Sequence, residues 1–123
     1  MFYIRKAGYK AIGQYSLGKK YTLDIFIPDM KIGIEYDGSV WHEGKKNQER
    51  DRIKNHMCIE QGICLFRLRE SREKLEKPII RENSIIFYRD IRDNNLGQAI
   101  SILMMKINSQ MLILIYAKTD IIF

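Results

Sequence analysis

The chain has 123 residues, 46% of them hydrophobic and 29% charged, with a formal charge of +6 and a pI near 9.4. This is the composition of one soluble globular domain with a modest core, and it argues against a second domain. The positive balance favours a polyanionic partner, nucleic acid before membrane. The longest uninterrupted apolar run, Met111 to Ala117, is too short to span a bilayer and no signal peptide opens the chain, so a cytoplasmic protein with no membrane partner is expected. Cys58 and Cys64 form neither a CxxC nor a zinc-finger pairing with His56, which reads as a surface imidazole beside a core thiol.

In chain order, residues 1–20 carry Arg5, Lys6, Lys10, Lys19 and Lys20 and no acid. Glycines at 8, 13 and 18 argue against one long helix, so Met1 to Ala7 reads as a short helical end followed by extended chain. MFYI has no N-cap before it, which suggests that the chain begins part-way through an element.

Residues 21–42, YTLDIFIPDMKIGIEYDGSVWH, organise the rest as a β-hairpin. Leu23, Ile25 and Ile27 alternate on the first strand and Ile32, Ile34 and Tyr36 on the second, with Pro28 to Lys31 as the turn. If those four residues are unpaired, Ile27 faces Ile32, Asp24 faces Glu35 and Thr22 faces Asp37. Like charges directly opposite each other destabilise a sheet unless something compensates. A hard divalent cation such as Mg²⁺ takes one or two carboxylates plus water and phosphate oxygens, which suits this pair. Trp41 and His42 follow at the same end of the hairpin, where His42 is placed to act as an acid, a base or a charge stabiliser. The blander reading of the same residues is a solvated face beside a loop pair.

EGKKNQERDRIKNHMCIEQG then predicts a helix of about four turns, ended by Gly62 at C′, with Ile53, Met57 and Cys58 as a narrow apolar stripe. Lys45 and Lys46 would lie near the carboxylates. ICLFRLRE, residues 63–70, predicts a strand whose Arg67 and Arg69 either grip phosphate or are ion-paired. SREKLEKP reads as a connecting loop, and Ser84 to Arg89 as a short β-favouring run. Asn95 to Gln98 resembles a capping box before a helix with Leu96, Ile100, Leu103, Met104 and Ile107 at helical spacing. Residues 1–110 thus form one domain, and the apolar tail 111–123 is a further strand or an association surface.

The run LDIFIPDMKIGIEYDG, then WH, a charged helix and GICLFRLRE resembles the restriction-endonuclease-like, PD-(D/E)XK nucleases of the very short patch repair type and the small bacterial, phage and homing-endonuclease domains related to them. The resemblance covers residues 9–70 and extends more weakly to about 108. It implies an α/β three-layer fold, with a mixed central sheet flanked by helices and a truncated N-terminal helix, and Mg²⁺-dependent hydrolysis of DNA phosphodiesters, with Mn²⁺ as a substitute. By the same resemblance Asp24, Glu35 and the Tyr36 carbonyl would hold the metal, and His42 would be catalytic. Asp37 would orient the water or bind a second ion, and Trp41, Lys45, Lys46, Arg67 and Arg69 would contact DNA. Three departures stand out. No acid precedes Asp24, Asp37 replaces the usual lysine or histidine, and the zinc ligands of the mismatch-repair members have no counterpart, so no structural zinc is expected. The alternatives are a catalytically impaired domain that binds DNA without cutting it, and a structural or oligomerisation module, as a homodimer or within a larger parent protein.

Overall fold

The structure, a computed structural model, describes residues 1–37 and 45–119, with 45–46 and 114–119 described by backbone alone. Its elements are α1 (Phe2–Lys6), β1 (Ile12–Ser16), β2 (Thr22–Ile27), a 3₁₀ turn (Pro28–Met30), β3 (Ile32–Asp37), α2 (Lys45–Glu60), β4 (Cys64–Glu70), β5 (Ile79–Arg81), β6 (Ser84–Phe87) and α3 (Leu96–Thr119). The six strands form one mixed sheet in the order β1-β2-β3-β4-β6-β5. β3, β4 and β6 are parallel, while the β1–β2, β2–β3 and β5–β6 pairs are antiparallel.

Strand alternation divides the core into two layers. Ile32, Ile34, Phe66, Leu68, Ile85 and Phe87 pack with Ile4 of α1 and with Ala99, Leu103 and Ile107 of α3. On the other face Ile63 and Leu65 pack with Leu17, Leu23, Phe26 and Cys58 of α2. The result is a helix layer on each face of a mixed sheet. Each fully buried large side chain, such as Phe87, Leu23 or Ile85, contributes roughly 1.5–3 kcal/mol.

The central hairpin has the predicted register. Pro28 opens the 3₁₀ turn, Lys31 takes a left-handed φ of 51° and Ile27 pairs with Ile32. The β2–β3 ladder then stops at Ile25–Ile34, although β1–β2 pairing continues to Tyr15–Leu23 and Ser16–Thr22. Leu23 and Phe26, three apart instead of two, join the same α2-facing cluster, so the alternation breaks at Asp24. Gln14, facing the break on β1, has φ 51°. Beyond the break the turn between β1 and β2 leans on the C-terminal end of α2, just past which Gln61 Nε2 donates to the Leu17 carbonyl at 2.8 Å. Thr22 therefore pairs with Ser16, and the expected Thr22–Asp37 pairing does not form. Leu23 lies so close over β3 that a Cβ on Gly33 would meet its Cδ1 at 2.6 Å.

α2 ends as predicted. Gly62 is left-handed, its N–H donates to the Ile59 carbonyl and that of Ile63 donates to the Cys58 carbonyl, the pair of bonds of a Schellman closure. At the start of α3 the expected capping box is replaced. Asn94 Oδ1 accepts the Leu96 N–H, while buried Asn95 turns away, accepting from Tyr88 N–H at 2.6 Å and donating to the Leu75 carbonyl at 2.8 Å. Pinning β6 to the preceding loop satisfies more buried backbone than capping would. α3 has 24 residues and is about 36 Å long at 1.5 Å per residue, so a boundary at residue 110 falls inside a continuous helix. The tail is helical through Thr119 and is no strand; Met111, Leu112 and Ile113 on it are exposed. β5, directly after Pro78, is an element that the loop assignment of the preceding segment did not foresee. No helix among the described residues is long and apolar enough to cross a membrane.

Candidate active site

The break in β2 is what builds the site. Where the β2–β3 ladder ends, the Asp24 carboxylate replaces a backbone partner, and its Oδ2 accepts the Tyr36 N–H at 2.7 Å. Glu35, one residue before Tyr36, projects from β3 toward α2 and is only 7% exposed. Its Oε2 accepts from Lys54 Nζ at 3.1 Å. Its Oε1 is buried and has no hydrogen-bond partner among the described residues. Burial pushes the Glu35 carboxyl up from its ordinary value, the Lys54 ammonium draws it down, and the Asp24 and Asp37 charges push it up again. The Asp24 charge thus reaches Glu35, although the ladder stops at Ile25–Ile34 and the expected Asp24–Glu35 strand pair is not formed.

Asp37, two residues on, is engaged differently. Its Oδ2 lies 3.2 Å from Arg69 Nε, and Arg69 also pairs with Asp51 of α2. Burial raises its carboxyl, Arg69 opposes the shift and Asp51 reinforces it. Arg67 is 7% exposed. It donates to Asn55 Oδ1 at 2.6 Å and to the Asp51 carbonyl at 3.4 Å, and burial lowers its pKa. Arg67 and Arg69 therefore follow the ion-paired alternative and fasten α2 to β4. Buried guanidinium groups already bonded to protein acceptors are poorly placed to hold a phosphate backbone.

α2 accordingly docks its first half through charge. Asp51, Lys54, Asn55 and Cys58 recur at the i, i+3, i+4, i+7 spacing of one helix face, and the first three bond to Arg69, Glu35 and Arg67. Of the apolar stripe expected there, Cys58 is buried and Ile53 and Met57 are half-buried. His56 is on the surface against Glu60, and both thiols are held protonated by burial.

Trp41 and His42 lie outside the described residues, as do the side chains of Lys45 and Lys46 at the start of α2. Lys54, Asp51 and Asn55 were missed in the sequence. Their signal was present: polar residues at helical spacing on the face that has to meet the sheet.

Among the described residues, no three His, Cys, Asp or Glu side chains converge as a metal cluster. The donor set nevertheless fits a hard cation. It comprises two acids that influence each other's charge, one with a buried unpartnered oxygen among the described residues, and the main-chain carbonyl of Tyr36, whose N–H bonds Asp24, all oxygen donors of the kind Mg²⁺ takes with water.

No curated protein and no solved structure matches the chain. Over residues 23–83, a stretch that holds Asp24, Glu35, Asp37, Asp51, Lys54, Arg67 and Arg69, the chain is similar to a family described as a protein of unknown function (DUF2726).

Proposed function

We propose that the protein is a metal-dependent DNA endonuclease. The observation that carries this reading is the group at the end of β3. Buried Glu35 has one oxygen on Lys54 and the other unpartnered, and Asp24 stands beside it across a deliberately opened strand pair. Two acids and a lysine at the end of an interior strand, where its pairing opens, are the parts needed for phosphodiester hydrolysis, and the restriction-endonuclease-like resemblance of the sequence points the same way.

Asp24, Glu35 and the Tyr36 carbonyl would hold Mg²⁺, with Mn²⁺ as a substitute. When bound, the ion polarises a phosphoryl oxygen and lowers the pKa of a coordinated water. Lys54 supplies the cation that Asp37 fails to supply in the strand. Held by Glu35, its ammonium stabilises negative charge developing on the phosphoryl oxygens, a contribution of about 10²–10³ in rate for one well-placed donor. The Asp37–Arg69–Asp51 chain keeps α2, and hence Lys54, in place. His42 is assigned proton transfer, Trp41 base contact, and Lys45 and Lys46 phosphate contact.

The test is nicking of supercoiled plasmid with Mg²⁺, Mn²⁺ or EDTA, comparing the wild type with Asp24→Ala, Glu35→Ala, Lys54→Ala and His42→Ala. Metal-dependent nicking that disappears in Asp24→Ala and falls about 10²–10³-fold in Lys54→Ala is expected. Absence of nicking under every metal refutes the catalytic claim. One observation favours a second reading, a DNA-binding domain without catalysis: an Asp24 oxygen is occupied by Tyr36 N–H and Asp37 is neutralised by Arg69. Salt-sensitive DNA binding that persists in EDTA without nicking would select it. The exposed apolar positions Met111 to Ile113 motivate a structural module; dimerisation without any DNA binding would select that.

A further inference from the structure

On the sheet face opposite Glu35 a groove of about 230 Å³ opens between α1 and α3, and its walls include Met1, Tyr3, Ile4, Tyr36, Leu103 and Met104. Among the described residues no charged side chain lines it. Two of its walls are aromatic rings accessible from solvent, Tyr3 at 55% and Tyr36 at 39% exposure. The Tyr36 ring is stiffened from behind by stacking on Phe87, with centroids 5.9 Å apart and planes 26° from parallel. Met1 and Met104 are adaptable, polarisable fillers that suit a flat ring better than a fixed shape.

The groove and the proposed site share one residue, Tyr36, at the end of β3. Its main-chain N–H holds Asp24 on one side, while its ring forms a wall of the groove on the other. A ligand that spans the end of β3 therefore meets charged oxygen chemistry at Asp24 and Glu35 and an uncharged aromatic slot beyond Tyr36. A nucleotide has this division: an anionic phosphodiester joined to a flat, uncharged base. A base still paired and stacked in a duplex has no free face to offer, so entry requires one that is unpaired.

We propose that this groove receives the base of an unpaired nucleotide next to the phosphodiester that a cation on Asp24 and Glu35 would hold, so that the substrate is DNA with a single-stranded or locally unpaired residue. This inference rests on the nuclease reading for the position of the phosphate. Stacking on aromatic side chains contributes enough per base to change affinity by about tenfold.

The experiment is fluorescence anisotropy with Ca²⁺ in place of Mg²⁺, a hard cation that oxygen donors also hold, so that the phosphodiester keeps its counter-charge at Asp24 and Glu35; the full chain is measured with three labelled duplexes. One is fully paired, one carries a single bulged thymidine, and one carries an abasic residue at the bulge. About tenfold tighter binding of the thymidine bulge than of the paired duplex is expected. That preference should vanish with the abasic bulge, and in Tyr3→Ala and Met104→Gln. Equal affinity for all three duplexes overturns the proposal. So does a bulge preference that survives the abasic residue and both substitutions, or a dimer in sedimentation that Tyr3→Ala dissociates, because a second copy would then fill the groove. Plasmid nicking is scored separately. A base-dependent bulge preference in a protein that never nicks supports the groove and refutes the nuclease reading.

Discussion

Substituting Lys54 by Met separates the charge of the site from its packing. The ammonium lies 3.1 Å from Glu35 Oε2, with the two side chains 12% and 10% exposed. At an effective dielectric constant near 20 a pair at that distance attracts by roughly 5 kcal/mol, and removing one partner of a buried pair typically costs about 3–5 kcal/mol because the other charge is stranded. Residual solvent access places the expected loss for Lys54→Met near 3 kcal/mol at pH 8. Part of the expectation is its pH dependence. Without Lys54 the Glu35 carboxyl, already above its ordinary 4.5, rises further in the folded state. Ionised Glu35 is then the costly form, so the penalty is absent below the unfolded-state pKa, grows as pH rises and is complete above the folded-state pKa. Urea unfolding at pH 4.5 and pH 8 reads this directly. For a urea m-value of about 2 kcal/mol/M the midpoint falls by about 1.5 M at pH 8 and far less at pH 4.5. Lys54→Met in a Glu35→Gln background should cost little at either pH. An equal loss at both pH values, or an undiminished loss in the Glu35→Gln background, would show that Lys54 acts by packing and refute the electrostatic account of the site.

Glu35→Gln should gain stability relative to the wild type as pH rises. The wild-type carboxyl is raised by burial, so its favourable contribution is present below the unfolded pKa and lost as pH passes the folded pKa, a loss that Gln cannot suffer; a stability difference that is flat from pH 4 to 8 in EDTA would contradict this. Gly33→Ala should destabilise by about 1–3 kcal/mol, because the new Cβ meets the fully buried Leu23 at 2.6 Å; an unchanged thermal midpoint would mean that the hairpin tip is free to move. Asn95→Ala should cost about 1–3 kcal/mol, since it strands Tyr88 N–H and the Leu75 carbonyl; hydrogen exchange at the Tyr88 amide that stays slow in the variant would show that this bond is dispensable.

Much of the architecture was legible along the chain because it is written in local terms. Pro28 with a four-residue turn set the hairpin register, period-two alternation picked out β2, β3 and β4, and Gly62 closed α2. Counting that register brought Asp24 toward Glu35, one step beyond the last residues that actually pair, Ile25 and Ile34. What counting does not contain is the break at Asp24, which arises because Leu23 packs on Gly33 and Leu17 on α2. Those contacts are long-range and leave no periodic trace.

The side chains that complete the site were decided by tertiary structure alone. Arg67 and Arg69 looked equally fit for phosphate or for ion pairs, and only the arrival of Asp51 and Asn55 from α2 selected the ion pairs. Lys54 is distant from Glu35 in the chain and stands among other charged residues, so nothing local marks it as the buried cation. A charged helix in isolation presents polar residues on every side. Which of them lose water is set by the sheet they land on, and desolvation is what turns an ordinary lysine and glutamate into a coupled pair.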